Sequence, residues 1–360
     1  MNMTLEQTLA KGAELLDMAL YLSTGLQELQ RKLVTYWTLA THMLPHVEVF
    51  PLLVLRGKMG TGKSETLNVI AKFAYQPHCF NLRSKTLSVI RDALVASHQG
   101  TAIIEEADQG WKDDSTFERL LSDRYHRRSA ETGKMEKSGD QWTSTTKLTF
   151  GATALHRRIP FNDAALDGRS VPIHFRADFT RDYIDFSDEL PWIVEGSELM
   201  KGVTFAPVDV QHLPAVAPRI FNTYKPILVT ARLCGDEHSS VLILDRLLKE
   251  TAELKEAQSE EPDGLVLRAI LGAVGSSPSF EYIRVRVLKD SIFQNHAVVL
   301  QSRQIAGMAR QLGFETKLSH GVTVIVPTPA TLLAACQECG YENDEAITEL
   351  KRRFPGSGGG

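Results

Sequence analysis

Between an apolar run at Leu52–Leu55 and a helical run that starts at Lys63, the chain reads Gly57-Lys58-Met59-Gly60-Thr61-Gly62-Lys63-Ser64, spelling G-x-x-x-x-G-K-S. Glycines at this spacing let the backbone turn tightly with its amides facing inward, and such a nest suits phosphate oxygens. The Lys63 ammonium can then reach the β and γ oxygens of a nucleotide, and the Ser64 hydroxyl can take a place on Mg²⁺. Residues 57 to 65, with Glu65 opening the helix, are therefore expected to hold ATP. A second group follows at Ile103-Ile104-Glu105-Glu106-Ala107-Asp108. Carboxylates at the end of a buried strand facing the loop can hold Mg²⁺ through water and polarise the attacking water. Glu105 is expected on the metal side, Glu106 as the general base, and Asp108 as an assistant.

These groups need a scaffold, and the pattern around them supplies one. Glu65 to Phe73 continues a helix, Cys79–Leu82 reads as a short strand, Thr86 to Ser97 as a helix, and Gly100–Glu105 as a buried strand. Such alternation predicts a parallel α/β sheet with helices on both faces. Residues 116 to 129 read as a helix ending in cationic Arg124, His126, Arg127 and Arg128, and 131 to 146 as a polar hairpin or channel-facing loop with Lys134, Lys137 and Trp142. Lys147 to Thr153 returns to strand pattern. Thr153 at its end could sense a γ-phosphate or be an ordinary strand end. The strand Val171–Phe175 closes the sheet.

Leucines at helical spacing from Leu5 to Leu33 predict an all-helical lead-in over residues 1–45, in which Tyr36, Trp37 and His42 could approach an adenine or fill the core. A chain of 360 residues is expected to divide into two or three domains, and 43% hydrophobic residues suffice to fold them. With no apolar run of membrane-spanning length and a polar amphipathic start, a cytoplasmic location is expected. Cys79, Cys234, Cys336 and Cys339 form no disulfide framework, and the Cys336-x-x-Cys339 pair has no partner set for zinc. Forty basic against 44 acidic side chains, a net charge of -4, exclude a strongly basic nucleic-acid coat but leave room for local patches.

Residues 45 to 185 resemble the core of AAA+ ATPases, and within them the divergent helicase-type ATPases of plasmids, phages and integrated elements. The matching pieces are Gly57–Ser64, Ile104–Asp108, Tyr125–Arg128, Phe150-Gly-Ala and Leu166-Asp-Gly-Arg169-Ser. The resemblance implies an AAA+ P-loop core over 46–185 and a helical lid over 186–262, with ATP bound at subunit interfaces. It implies that Arg169, just before the last core strand, reaches a neighbouring subunit's nucleotide. Arg219, in the lid, would contact the γ-phosphate of its own subunit, and Arg157 and Arg158 compete with Arg169. The metal-side residue is Glu105, where the class usually has aspartate, and Mg²⁺ tolerates either carboxylate through water.

From Gly264 the pattern of helix, turn and hairpin resembles a winged helix over 263–355, ahead of a flexible tail or engineered scar at 356–360. Leu265–Val274 reads as a helix, Tyr282–Val287 as a strand, and Ser302–Leu312 as a helix followed by strands either side of His320-Gly321. In the candidate recognition helix Ile305, Ala306 and Ala309 face the core, while Arg303, Gln304 and Arg310, with Lys317 on the wing, could contact DNA. The expected function is an oligomeric ATP-hydrolysing motor or loader on DNA, helicase-like, with a hexamer as one arrangement and Mg²⁺ as cofactor. The alternative is a nucleotide-gated assembly that controls a protein partner such as a nuclease or transposition enzyme.

Overall fold

The computed structural model describes residues 3–82, 86–107, 114–138, 141–158, 160–175, 183–184, 190–208, 210–275 and 282–339. Asp108 and the stretch from 340 to the end, including Lys351, Arg352 and Arg353, lie outside them. So do the side chains of Lys134, Lys137 and Trp142. The chain is mixed α/β and divides into two compact units, Met1–Leu248 and Lys249–Gly360.

The first unit opens with α1 (Leu5–Ser23) and α2 (Glu28–Ala40). Thr4 starts α1 with a reciprocal capping box to Gln7. There follow β1 (Leu52–Arg56), α3 (Lys63–Phe73), β2 (Pro77–Asn81), α4 (Leu87–Ala96), β3 (Thr101–Glu105) and α5 (Asp114–Asp123). Then come a hairpin of β4 (Glu131–Ser138) and β5 (Gln141–Leu148), β6 (Ala152–His156), α6 (Ala164–Asp167), β7 (Ser170–His174), α7 (Pro191–Met200), α8 (Pro218–Leu233) and the start of α9 (Glu237–Glu260), within which the division at Leu248 falls.

Five strands form one parallel sheet in the order β2-β3-β6-β1-β7. In β1, Leu52, Leu53, Val54 and Leu55 are all buried, as a central parallel strand requires. Their alternation divides the core. Leu53 and Leu55 join the cluster built from α1, α2, α3, α7 and α8, which includes Leu16, Trp37, Ile70, Ile193 and Ile227. Leu52 and Val54 face the other way, onto Ile90 and Leu94 of α4 and Phe117 and Leu121 of α5. The helices after the sheet thus share one core with the N-terminal helices, where the sequence suggests a lid of its own. Phe221, Tyr224 and Ile227 of α8 are buried in that shared core. Tyr36, Trp37 and His42 belong to it too. Trp37 Nε1 donates to Pro51 O (3.0 Å), Tyr36 donates to Asp236, and the His42 ring lies between Val203 O and Phe73 O.

Two arginines of the basic run after α5, Arg124 and Arg127, are taken up by the fold. Arg124 is fully buried, and burial pushes its guanidinium down to about 9. It donates to Thr153 Oγ1 (2.9 Å) and to the carbonyls of Leu94 (2.7 Å), Thr149 (2.7 Å) and Ala152 (3.0 Å). Gly151 makes room for it: a Cβ there would stand 2.5 Å from Arg124 Nη2. Arg127 lies over the Phe150 ring and donates to Val47 O and Leu44 O, while Arg128 is exposed beside Glu48. Arg124→Met strands those acceptors in the core and is expected to cost about 3–5 kcal/mol, read as a lowered denaturant midpoint.

The second unit contains α10 (Pro262–Gly275), β8 (Ile283–Arg284), α11 (Val285–His296), α12 (Ser302–Gln311), β9 (Glu315–Ser319), β10 (Val322–Val326) and α13 (Pro329–Glu338). The strand expected over Tyr282–Val287 is only two residues long. Val285, Leu288 and Ile292 bury one face at helical spacing, so the chain turns into α11 instead. The two-residue turn between β9 and β10 is His320-Gly321, with φ of +49° and +75°, both positive as a tight hairpin needs. Ile305, Ala306 and Ala309 of α12 are buried with Phe314, Ile325 and the CxxC cysteines Cys336 and Cys339. Among the described residues no helix is long and apolar enough to cross a membrane, and no His/Cys/Asp/Glu cluster is arranged for a metal.

Candidate nucleotide site

The turn from β1 to α3 is set by Gly62, which precedes the helix at φ +87°, a left-handed conformation that a side chain would strain. The loop therefore enters α3 with the first helical amides uncovered at its N-terminus, where the helix dipole also favours anions. Lys63 is buried at the base of the loop, and its ammonium donates to Gly57 O (2.9 Å) and Lys58 O. Thr61 closes the loop through Lys58 O (2.8 Å). From outside, Thr24 and Gly25, in the link between α1 and α2, lie against Gly62.

A cavity of about 660 Å³ opens above this loop. It is lined by Met59, Gly60, Thr61, Gly62, Lys63, Ser64 and Glu65 from the loop and α3, by Glu105 at the end of β3 with Glu106 beyond it, and by His156 at the end of β6 with Arg158 beyond it. The parallel strands explain the gathering: β1, β3 and β6 all end on this side. The loop, the carboxylates and the lysine thus meet in one place. Gly57 and Lys58 do not line the cavity: their carbonyls hold the Lys63 ammonium, and a Cβ on Gly57 would stand 2.8 Å from Phe175. By donor type, the Ser64 hydroxyl and Glu105 carboxylate suit a hard divalent cation.

Glu106 carries a backbone anomaly. Its φ is +54°, in the left-handed region that costs a non-glycine residue about 1–3 kcal/mol. Its amide donates to His156 Nε2 at 2.6 Å.

Four expected participants stand elsewhere. Thr153 stands second in β6 rather than at its end, so it is buried away from the cavity with its hydroxyl on Arg124. The end of that strand, facing the cavity, is His156. Arg219 is not brought to the phosphate loop of its own chain: it packs over Gly168 and donates to Ala165 O. Arg157 is buried in an ion pair with Glu118 (3.1 Å), which also accepts the amides of Asn162 and Asp163. Arg169 precedes β7, its carbonyl accepting Leu52 N at the start of β1. The length of β1, about 16 Å, therefore separates it from the loop of its own chain. Its side chain reaches Ser122 and stacks over Tyr125.

In the second unit, Arg303, Gln304, Arg310 and Lys317 are all exposed. Gln304 caps its own helix by accepting Gln301 N (2.8 Å), Arg310 Nε donates to Ala306 O, and Lys317 pairs with Glu315 (3.2 Å). The sequence reading missed His156 and the Thr24-Gly25 link, and it named Arg158 only as a competitor of Arg169, whereas Arg158 lines the cavity of its own chain. His156 stands just beyond the expected strand, and a corrected strand end would have found it.

No protein-family model matches the chain, and no curated protein sequence matches it. Among solved structures, it is similar to the active helicase Cch of SCCmec type IV, at 12% identity and a TM-score of 0.42 over 84% of this chain and 68% of that one. It is also similar to the apo C-terminal region of NrS-1, at 11% identity and a TM-score of 0.38 over 88% and 75% of the two chains. A third is JCV helicase with a bound thiazolopyridine compound, at 17% identity and a TM-score of 0.28 over 49% and 47%. The overlaps are loose, and the reading below rests on the chain's own sheet and loop.

Proposed function

We propose that the chain is a P-loop ATPase of the AAA+ type. More particularly, it is a helicase-like motor or loader that acts on DNA as an oligomer, with ATP between neighbouring subunits. The observation that carries this is the single cavity in which Lys63, Ser64, Glu105 and Glu106 meet, while Arg169 stands at the other end of the same strands. An arginine so placed serves a nucleotide only in another copy.

In this reading the amides of residues 58–63 cradle the phosphates, and Lys63 leaves its loop carbonyls for the β and γ oxygens. Ser64 and Glu105 would hold Mg²⁺, which when bound supplies charge neutralisation on those oxygens. Glu106 orients and deprotonates the attacking water. Arg169 of the next copy offsets charge developing on the transferred phosphoryl group, and Arg219, on the same face, adds a second cation there. The second unit reads as a winged helix that contacts DNA through Arg303, Arg310 and Lys317, with Gln304 freed from its cap on binding. The hairpin β4–β5 is a further candidate contact in the oligomer's channel.

The test is ATP turnover by the full chain with and without single- and double-stranded DNA, alongside oligomeric state. The reading expects an oligomer whose turnover DNA stimulates. Turnover indifferent to both DNAs but raised by a protein partner would replace it with the nucleotide-gated assembly.

A further inference from the structure

We propose that His156 is a positioning residue for Glu106: it holds the backbone of the catalytic carboxylate in its left-handed conformation and thereby aims it into the cavity. This rests on the ATPase reading above and adds a role for a side chain which that mechanism leaves unused.

Two contacts from one residue fix the segment after β3. The His156 Nε2 accepts the Glu106 amide at 2.6 Å, and the His156 carbonyl accepts the Ala107 amide at 3.3 Å. Just before them, Glu105 is still part of the sheet, its carbonyl accepting Leu82 N at 3.2 Å. The register pairs Ile104 with Leu155, so His156 lies one step beyond the last paired residues of β3 and β6. There the backbone of β3 leaves its strand geometry. Glu106 turns to φ +54°, which a glutamate does not adopt without something to hold it. An amide N–H only donates, so the bond also fixes the ring: Nε2 carries the lone pair and Nδ1 the proton. Ala107 beyond it is buried, so the segment is anchored on both sides of the turn.

The chemistry follows from the geometry. A general base must sit within hydrogen-bond reach of the water it activates, and a displacement on the order of 1 Å can cost about 10²-fold in rate. Removing the imidazole frees Glu106 to relax to negative φ, which swings its carboxylate while leaving the loop, Lys63 and Ser64 untouched. The loss is therefore expected in kcat rather than in nucleotide affinity.

The experiment is a double-mutant cycle on the full chain, with ATP turnover and binding of a non-hydrolysable ATP analogue as readouts. His156→Ala is expected to lower kcat by about 10²-fold and to leave analogue affinity within about twofold. In a Glu106→Gln background the same change is expected to do nothing further, beyond about twofold, because the residue acts only through that carboxylate. His156→Gln, whose amide oxygen reaches the position of Nε2, restores most of the turnover, whereas the shorter His156→Asn does not. Full additivity of His156→Ala with Glu106→Gln, or better rescue by Asn than by Gln, overturns the proposal in favour of a direct contact with phosphate. One readout is independent of hydrolysis. In ¹⁵N-labelled protein, a scalar coupling across the hydrogen bond between the Glu106 amide and His156 Nε2 is expected, with the ring proton on Nδ1. A ring protonated on Nε2 would refute the latch even in a chain that hydrolyses no ATP. Absence of wild-type turnover with the coupling present would refute the ATPase reading alone.

Discussion

Exchanging Arg169 for alanine lowers ATP turnover by about 10³-fold or more, the scale on which a guanidinium placed against a transferring phosphoryl group acts. ATP binding stays close to that of the parent, because the residue contributes nothing to the loop of its own chain. The reason lies in the strand direction. β1 leads from the neighbourhood of Arg169 to the phosphate loop, and a side chain at its start cannot reach a nucleotide at its end. In this chain Arg169 touches Ser122 and the Tyr125 ring. Those contacts hold the guanidinium against α5 and leave it partly exposed, ready to be presented to a neighbour. Single-turnover hydrolysis and equilibrium binding of labelled ADP separate the two effects. A variant that binds more weakly but hydrolyses normally once saturated would assign Arg169 to the fold alone.

The second large effect is expected at Lys63. Lys63→Ala removes the cation at the base of the loop, where it is buried and bonded to the carbonyls of Gly57 and Lys58. Turnover should fall by at least about 10²-fold, since a buried donor on developing charge is worth that much. Nucleotide affinity should fall as well, which distinguishes this variant from the one at Arg169. Lys63→Arg does not rescue, because the larger planar fork cannot fold into the space between the two carbonyls. Isothermal titration with ATP and a turnover assay read both quantities.

The loop was legible in the sequence because its chemistry is local: eight consecutive residues make the turn, the nest and the helix start. The same holds for Glu105 and Glu106, which close a run of buried apolar residues. His156 was not legible, because the residue that faces the cavity depends on where β6 ends. The polar residues before β6 hide that end, since Lys147 and Leu148 belong to the hairpin and the core strand starts only at Ala152. Thr153 is consequently buried three residues away, serving Arg124. The arginines show the same limit. Arg124, Arg157 and Arg169 are alike in sequence, yet the first satisfies backbone carbonyls, the second pairs with buried Glu118, and the third stands partly exposed at the sheet's starting edge. Which of them is spent inside the fold is decided by neighbours distant in sequence. In the second unit, α11 escaped notice because Tyr282–Val287 alternates like a strand, and the buried Leu288 and Ile292 that make it a helix lie beyond that window.

The central claim is that one site is built from two copies, and mixing two inactive variants tests it most directly. Lys63→Ala keeps Arg169 for its neighbour, and Arg169→Ala keeps an intact loop. In a randomly mixed oligomer at equal amounts, about one quarter of the interfaces join an intact loop to an intact arginine. The account predicts that the mixture recovers ATP turnover to about that fraction of the parent, from two proteins that are each inactive. A mixture as inactive as its components, in oligomers shown to exchange subunits, would contradict it.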